Sequence, residues 1–116
     1  MTTSAEIAVE RKGAAVVARL TGEVDMTNAT YIGEELTKAV PNEALALVID
    51  LSGTRYLDSA AIELLFDLAR RLGRRRQRLK LVLPSSSPLR RVLLLTDVQT
   101  AAPLHDTLEE ALTDAG

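Results

Sequence analysis

Residues 44–53 read ALALVIDLSG, with apolar side chains at both parities of the run until Asp50 and a Ser-Gly pair to close it. A half-exposed strand would alternate; a run apolar at both parities marks a strand covered on two faces, the habit of parallel sheets flanked by helices. Helical patterns stand on either side of it. Downstream, SAAIELLFDLARRLGRR (59–75) sets Ile62, Leu65, Phe66, Ala69 and Leu72 on one stripe and collects bases in its last turns, where the helix macrodipole favours them. Upstream, TNATYIGEELTKAV (27–40) carries Ala29, Ile32, Leu36, Ala39 and Val40 at helical spacing, with Thr27 or Asn28 as cap and Pro41 as stop.

Further out the same logic continues. AEIAVE (5–10) alternates and AAVVARLT (14–21) is apolar after the turn RKG, which predicts an N-terminal hairpin. RLKLVLP (78–84) reads as another buried strand, and SSSPLRRVLLLTDV (85–98) opens with a Ser cap and a Pro at the first helical position. APLHD (102–106) is a short strand or extended segment, and Thr107 and Glu110 stand at capping-box spacing before a last helix. The order predicts one α/β domain over 1–116, with a mixed, mostly parallel sheet of four to five strands, an antiparallel N-terminal hairpin and about four helices. In such sheets functional groups gather where strand carboxyl ends meet helix starts. GEVD (22–25) and YLDSAA (56–61) both belong to that rim.

Composition narrows the classes. A chain of 116 residues with 47% hydrophobic and 26% charged residues can bury one core, and with aromatics at 3% that core must be aliphatic. Without cysteine there is neither a disulfide framework nor a thiolate metal site, which fits a reducing compartment. The start MTTSAEIAVERKG lacks an apolar export region and no run of 18 apolar residues occurs, so a soluble, cytoplasmic protein is expected, with no membrane insertion. The net charge of −2 hides an asymmetry: residues 70–80 (RRLGRRRQRLK) hold seven of the 14 bases and no acid, leaving about −9 on the remainder. No aromatic interleaves these bases for stacking, which argues against nucleic acid; a docking edge for a protein is an intermediate reading.

The residues do not suggest an enzyme. His105 is the one histidine and has no second histidine or cysteine to complete a nucleophilic constellation. The pairs Glu34 with Glu35 and Glu109 with Glu110 read as solvated helix faces, and no phosphate-loop, dinucleotide or metal motif occurs. Asp50 at the end of a central strand raises a phospho-accepting receiver domain, but the opening hairpin and the placement of Lys80 within its strand count against it. Ser59 then holds the interest. Either Asp58 or Ser59 could be an ordinary helix cap. Ala60 and Ala61 also make this helix start flat, and a phosphate there would find helix N–H groups nearby. Adding such a charge beside Asp58 and Asp25 would oppose burial against a partner.

Three stretches resemble the STAS domains, and among them the bacterial anti-sigma factor antagonists. LTGEVDMTNA (20–29) is similar to the family's L-x-G-E-L-D stretch, VIDLSGTRYLDSAAIELL (48–65) to its signature around Asp-Ser, and the tail from LVLP onward to its closing elements. The resemblance implies a STAS fold and a binding protein without catalysis. Its partner would be an ATP-dependent anti-sigma factor that is also a serine kinase, with a sigma factor freed on binding. Position by position, the phosphoacceptor falls on Ser59 and the preceding acid on Asp58. The partner-facing surface falls on Asp25, Glu23, Asp58, Ser59, Ala60 and Ala61. A phosphoserine phosphatase would restore the active form, and ATP would belong to the kinase, so no cofactor or metal is implied for this chain. The family's second hydroxyl and its glycine are Ala60 and Ala61 here. The alternative is an unphosphorylated STAS subunit docking on an ABC-transporter ATPase or a signalling scaffold. Monomer and dimer are both compatible with the sequence.

Overall fold

The computed structural model describes residues 4–113. Strands β1 (Ala5–Lys12) and β2 (Ala15–Val24) form the expected hairpin, β1 running two residues closer to the turn than its alternation implied and β2 three residues further at its far end. Gly13 makes the tight turn possible: its φ of 61° supplies the left-handed residue that a two-residue hairpin loop favours. Helix α1 (Ala29–Ala39) follows, then β3 (Ala46–Asp50), β4 (Thr54–Leu57), α2 (Ser59–Arg74) and β5 (Arg78–Val82). Helix α3 (Leu89–Leu95), a 3₁₀ turn over Val98–Thr100, β6 (Leu104–His105) and α4 (Leu108–Thr113) complete the described chain. The C-terminal end of the expected last helix, residues 114–116, lies outside the described residues.

Among the described residues the sheet has six strands rather than four to five. Its path runs β1-β2-β3-β5-β6, and β1 alone is antiparallel to its neighbour. The added strand is β4. Strand β2 is long enough to pair with β3 along Ala15–Arg19 and then with β4 along Gly22–Val24, so β3 and β4 act as one interrupted strand beside it. The interruption is a turn closed by Asp50, whose Oδ1 accepts from the Ser52 backbone N–H at 2.9 Å and from its hydroxyl at 2.6 Å. Thr54, buried behind the turn, donates its hydroxyl to the Leu20 carbonyl at 2.7 Å. Asp50 therefore holds a corner, and it also faces Arg19 at 3.6 Å.

The two-faced reading of β3 holds. Leu47 and Ile49 belong to the main core under α1, α2 and α3, whereas Val48 packs with Val17, Val82 and Ala111 under α4 on the other face. On α2 the buried side chains include Ile62, Leu65, Leu68 and Leu72. Phe66 and Ala69 of the expected stripe pack at its margin. Thr107 Oγ1 accepts from the Glu110 N–H and caps α4 as expected, whereas at α3 the cap position is Pro88 and makes no side-chain cap bond, with Ser87 one residue further out accepting from the Leu89 N–H. No helix among the described residues is long and apolar enough to cross a membrane.

Candidate functional site

The rim at the carboxyl ends of β2 and β4 follows from register. Val24 pairs with Leu57, so Asp25 and Asp58, the next residue on each strand, leave the sheet side by side. The Asp58 N–H donates to the Val24 carbonyl at 3.3 Å and keeps the two exits together. Getting there requires Gly22. Strand β2 shifts register between Gly22 and Glu23, with φ of 102° at Gly22, and a Cβ there would lie 2.4 Å from the Ser4 carbonyl oxygen.

Asp58 ties the rim together through both of its carboxylate oxygens. Its Oδ1 accepts from the Ala61 N–H at 3.1 Å, which makes it the N-cap of α2, and its Oδ2 accepts from the Met26 N–H at 3.1 Å. One acid thus fastens the loop after β2 to the start of α2. Asp25 folds that loop locally: its Oδ1 accepts from the Thr27 N–H at 2.9 Å and from the Thr27 hydroxyl at 2.6 Å. Asn28 closes it from behind, accepting from the Asp25 N–H at 3.0 Å and donating to the Glu23 carbonyl at 2.9 Å. Asn28 precedes α1, as the sequence suggested, but its side chain makes no cap bond to the helix. Its duty is to the Asp25 loop. The proximity of Asp25, Thr27 and Asn28 is the local signal for such a turn, since Asx and hydroxyl side chains often bond backbone a few residues away.

With Asp58 serving as the cap, Ser59 is the first residue of a 16-residue helix and is exposed. Among the described residues its hydroxyl has no hydrogen-bond partner. The two alanines after it part company. Ala60 is half-buried at the surface, while Ala61 is 1% exposed in the core. The expectation that Ala61 faces a partner is corrected accordingly: its methyl points inward and its N–H is held by Asp58. The methyl that replaces the family's glycine is thus absorbed by the core. Glu23 is half-buried on β2, opposite Tyr56.

Sequence reasoning missed Met26. It is 79% exposed beside the Asp58 carboxylate, and an exposed thioether at a rim offers an adaptable apolar contact. From Met26 and Ala60 a groove of about 260 Å³ runs between α1 and α2, flanked by Glu34 and Glu63 and reaching Arg71. His105 lies on β6, and its carbonyl accepts from the Leu83 N–H at 2.9 Å.

A flat helix start with one exposed hydroxyl, acidic neighbours and an apolar thioether is the makings of a protein-binding surface on an α/β scaffold. The model of the STAS domain family matches residues 6–111, and the chain belongs to that family. It is 31% identical over 105 residues to the anti-sigma-F factor antagonist RsfB of Mycobacterium tuberculosis, covering 90% of this chain and 83% of that protein. An anti-sigma factor antagonist from Mycobacterium paratuberculosis has a similar crystal structure, with a TM-score of 0.83 at 31% identity over 95% of this chain and 92% of that one. The phosphorylated form of the Bacillus cell fate determinant SpoIIAA shares the fold, with a TM-score of 0.65 at 23% identity over 92% of this chain and 96% of that one.

Proposed function

We propose that this chain is an anti-sigma factor antagonist that binds an anti-sigma factor through the Ser59 rim and is switched off by phosphorylation of Ser59. The observation that carries the reading is the division of labour at the start of α2: Asp58 takes the cap and leaves the Ser59 hydroxyl exposed and, among the described residues, without a hydrogen-bond partner. The partner is an ATP-dependent anti-sigma factor that doubles as a serine kinase, and binding it frees the sigma factor. In the transfer, Ser59 Oγ attacks the terminal phosphorus of ATP held by the kinase. The Oγ–P bond forms, the bond to the leaving ADP breaks, and the hydroxyl proton leaves to a base. ATP belongs to the partner, so this chain is assigned no cofactor. A phosphoserine phosphatase reverses the modification.

The off state follows from electrostatics. A phosphoserine adds about −1.5 to −2 charges. On this rim it would stand next to Asp58 and near Asp25 and Glu63, so burying it against a partner would cost several kcal/mol, on the order known for unpaired buried ions. The anti-sigma-factor reading is supported by the two mycobacterial relatives, whose names carry that role at 31% identity.

The test is incubation with the cognate kinase and ATP, read by intact mass. Phosphate on the wild type but not on Ser59→Ala is expected. Equal labelling of both would overturn the site, and recovery of a transporter ATPase as the bound partner in place of an anti-sigma kinase would overturn the function.

A further inference from the structure

We propose that the corner where α2 turns into β5, at the end of the molecule opposite Ser59, is a second docking surface, which binds an acidic, leucine-bearing polypeptide segment of a partner protein. The basic stretch of the sequence is resolved here into bases with different duties. Arg70 pairs with Asp67, and Arg75 donates to the Val40 carbonyl at 2.8 Å and to Asn42 Oδ1 at 2.9 Å. Arg71, Arg74, Arg76 and Arg78 are exposed, and among the described residues no carboxylate pairs with them. The helix dipole favours bases in the last turn and falls off beyond it, which accounts for Arg71 and Arg74. Arg76 and Arg78 lie beyond the helix, where that explanation does not reach.

Arg76 supplies an independent observation. It is one of two non-glycine residues in the described chain with positive φ, at 60°. It occupies the left-handed position after a helix end closed by the Gln77 N–H donating to the Leu72 carbonyl at 2.8 Å. Glycine or asparagine is the usual occupant, because a Cβ is strained there. The Arg76 N–H closes the same turn onto the Gly73 carbonyl at 3.0 Å, but among the described residues its side chain has no hydrogen-bond or ion-pair partner. A guanidinium held at a strained surface position that glycine would fill points to an external contact.

The corner is also rigid. Gln77 is 3% exposed and donates through Nε2 to the Pro41 carbonyl at 2.8 Å and the Ala44 carbonyl at 2.9 Å, fastening the turn to the entry of β3. The Arg78 N–H donates to the carbonyl of Leu45 at 3.0 Å, and Leu45 is 64% exposed. An exposed leucine beside unpaired arginines on a fixed backbone has the composition of a protein interface, where arginine and apolar centres are favoured.

Three features select the occupant. The bases are arginines, whose planar donors match carboxylates in pairs. The corner presents no aromatic side chain for base stacking. The remainder of the chain carries about −9, so a nucleic-acid duplex or an anionic bilayer reaching past the corner would meet repulsion that a short acidic segment escapes. Because α2 has 16 residues, Ser59 and Arg74 stand about 22 Å apart, and both surfaces can be engaged together.

The experiment uses the full chain and a fluorescein-labelled, glutamate-rich peptide with interspersed leucines, read by anisotropy at physiological salt. Saturable binding is expected, weakened about tenfold or more in Arg74→Ala/Arg76→Gly/Arg78→Ala, severalfold in Leu45→Ser, and unchanged in Ser59→Glu. Arg76→Gly alone should raise Tm while lowering affinity, opposite movements that a purely structural residue does not give. No binding, equal binding to the triple variant, or tighter binding of a short DNA duplex or of phosphatidylglycerol vesicles than of the peptide would each overturn the proposal.

Discussion

Asp58 and Ser59 are adjacent residues of types that both cap helices, and the sequence left the cap between them. The structure assigns it to Asp58, whose Oδ1 accepts from the Ala61 N–H, while its Oδ2 makes a contact with no local signature, the Met26 N–H brought in from the loop after β2. Removing the Asp58 side chain should therefore cost more than a simple cap. Asp58→Ala is expected to lower stability by about 1–3 kcal/mol in urea denaturation, combining the cap with a lost tie between loops, and Asp58→Asn should recover part of it because one oxygen acceptor remains. Ser59→Ala should change stability by no more than about 0.5 kcal/mol in the same measurement, as expected for a surface side chain without a partner. A loss comparable to that of Asp58→Ala would return the cap to Ser59. Partner binding separates the same two residues: Ser59→Glu should weaken it strongly, while Ser59→Ala leaves it near wild type. Ala61 marks what sequence could not resolve, since a small residue two positions into a helix reads equally as surface or core.

Most of the elements were legible because each carries its own periodicity, as in the two-faced apolar run of β3 or the stripe of α2. Strand β4 was not. Its four residues are too short to show a period, two of them are exposed, and the strand exists because β2 extends past β3 and offers it a ladder. That extension hinges on Gly22. Gly22→Ala should lose at least about 1–3 kcal/mol, since the new Cβ would press on the Ser4 carbonyl in a backbone region that favours glycine. The loss should be accompanied by faster hydrogen exchange in Thr54–Leu57, the strand that depends on this register. Uniform exchange with no local change at β4 would contradict the dependence. At the far end of α2 the sign reverses: Arg76→Gly should stabilise by about 1 kcal/mol, because glycine takes the left-handed position without strain.

Across the whole molecule, α2 separates an acidic rim from a basic corner while its apolar face anchors both to one core. Whether the ends communicate is a question of screening and stiffness. A phosphate on Ser59 would stand about 22 Å from Arg74 along the helix, whereas the Debye length is about 8 Å at physiological ionic strength. Direct electrostatic coupling should then be negligible. A conformational route would need an element with two arrangements, yet the rim is held by Asp58 and the corner by Gln77, each through several hydrogen bonds to separate segments. The two surfaces are thus expected to behave additively: Ser59→Glu combined with Arg74→Ala should show, for each ligand, the effect of the relevant single change within about 0.5 kcal/mol, measured as a double-mutant cycle at physiological salt. Lowering the ionic strength to about 0.01 M lengthens the screening distance to about 30 Å. Under that condition Ser59→Glu should begin to weaken acidic-peptide binding at the corner, and the size of the effect should fall smoothly as salt is restored. Coupling that persisted at high salt would instead require α2 itself to move, and would show as altered hydrogen exchange along its buried face.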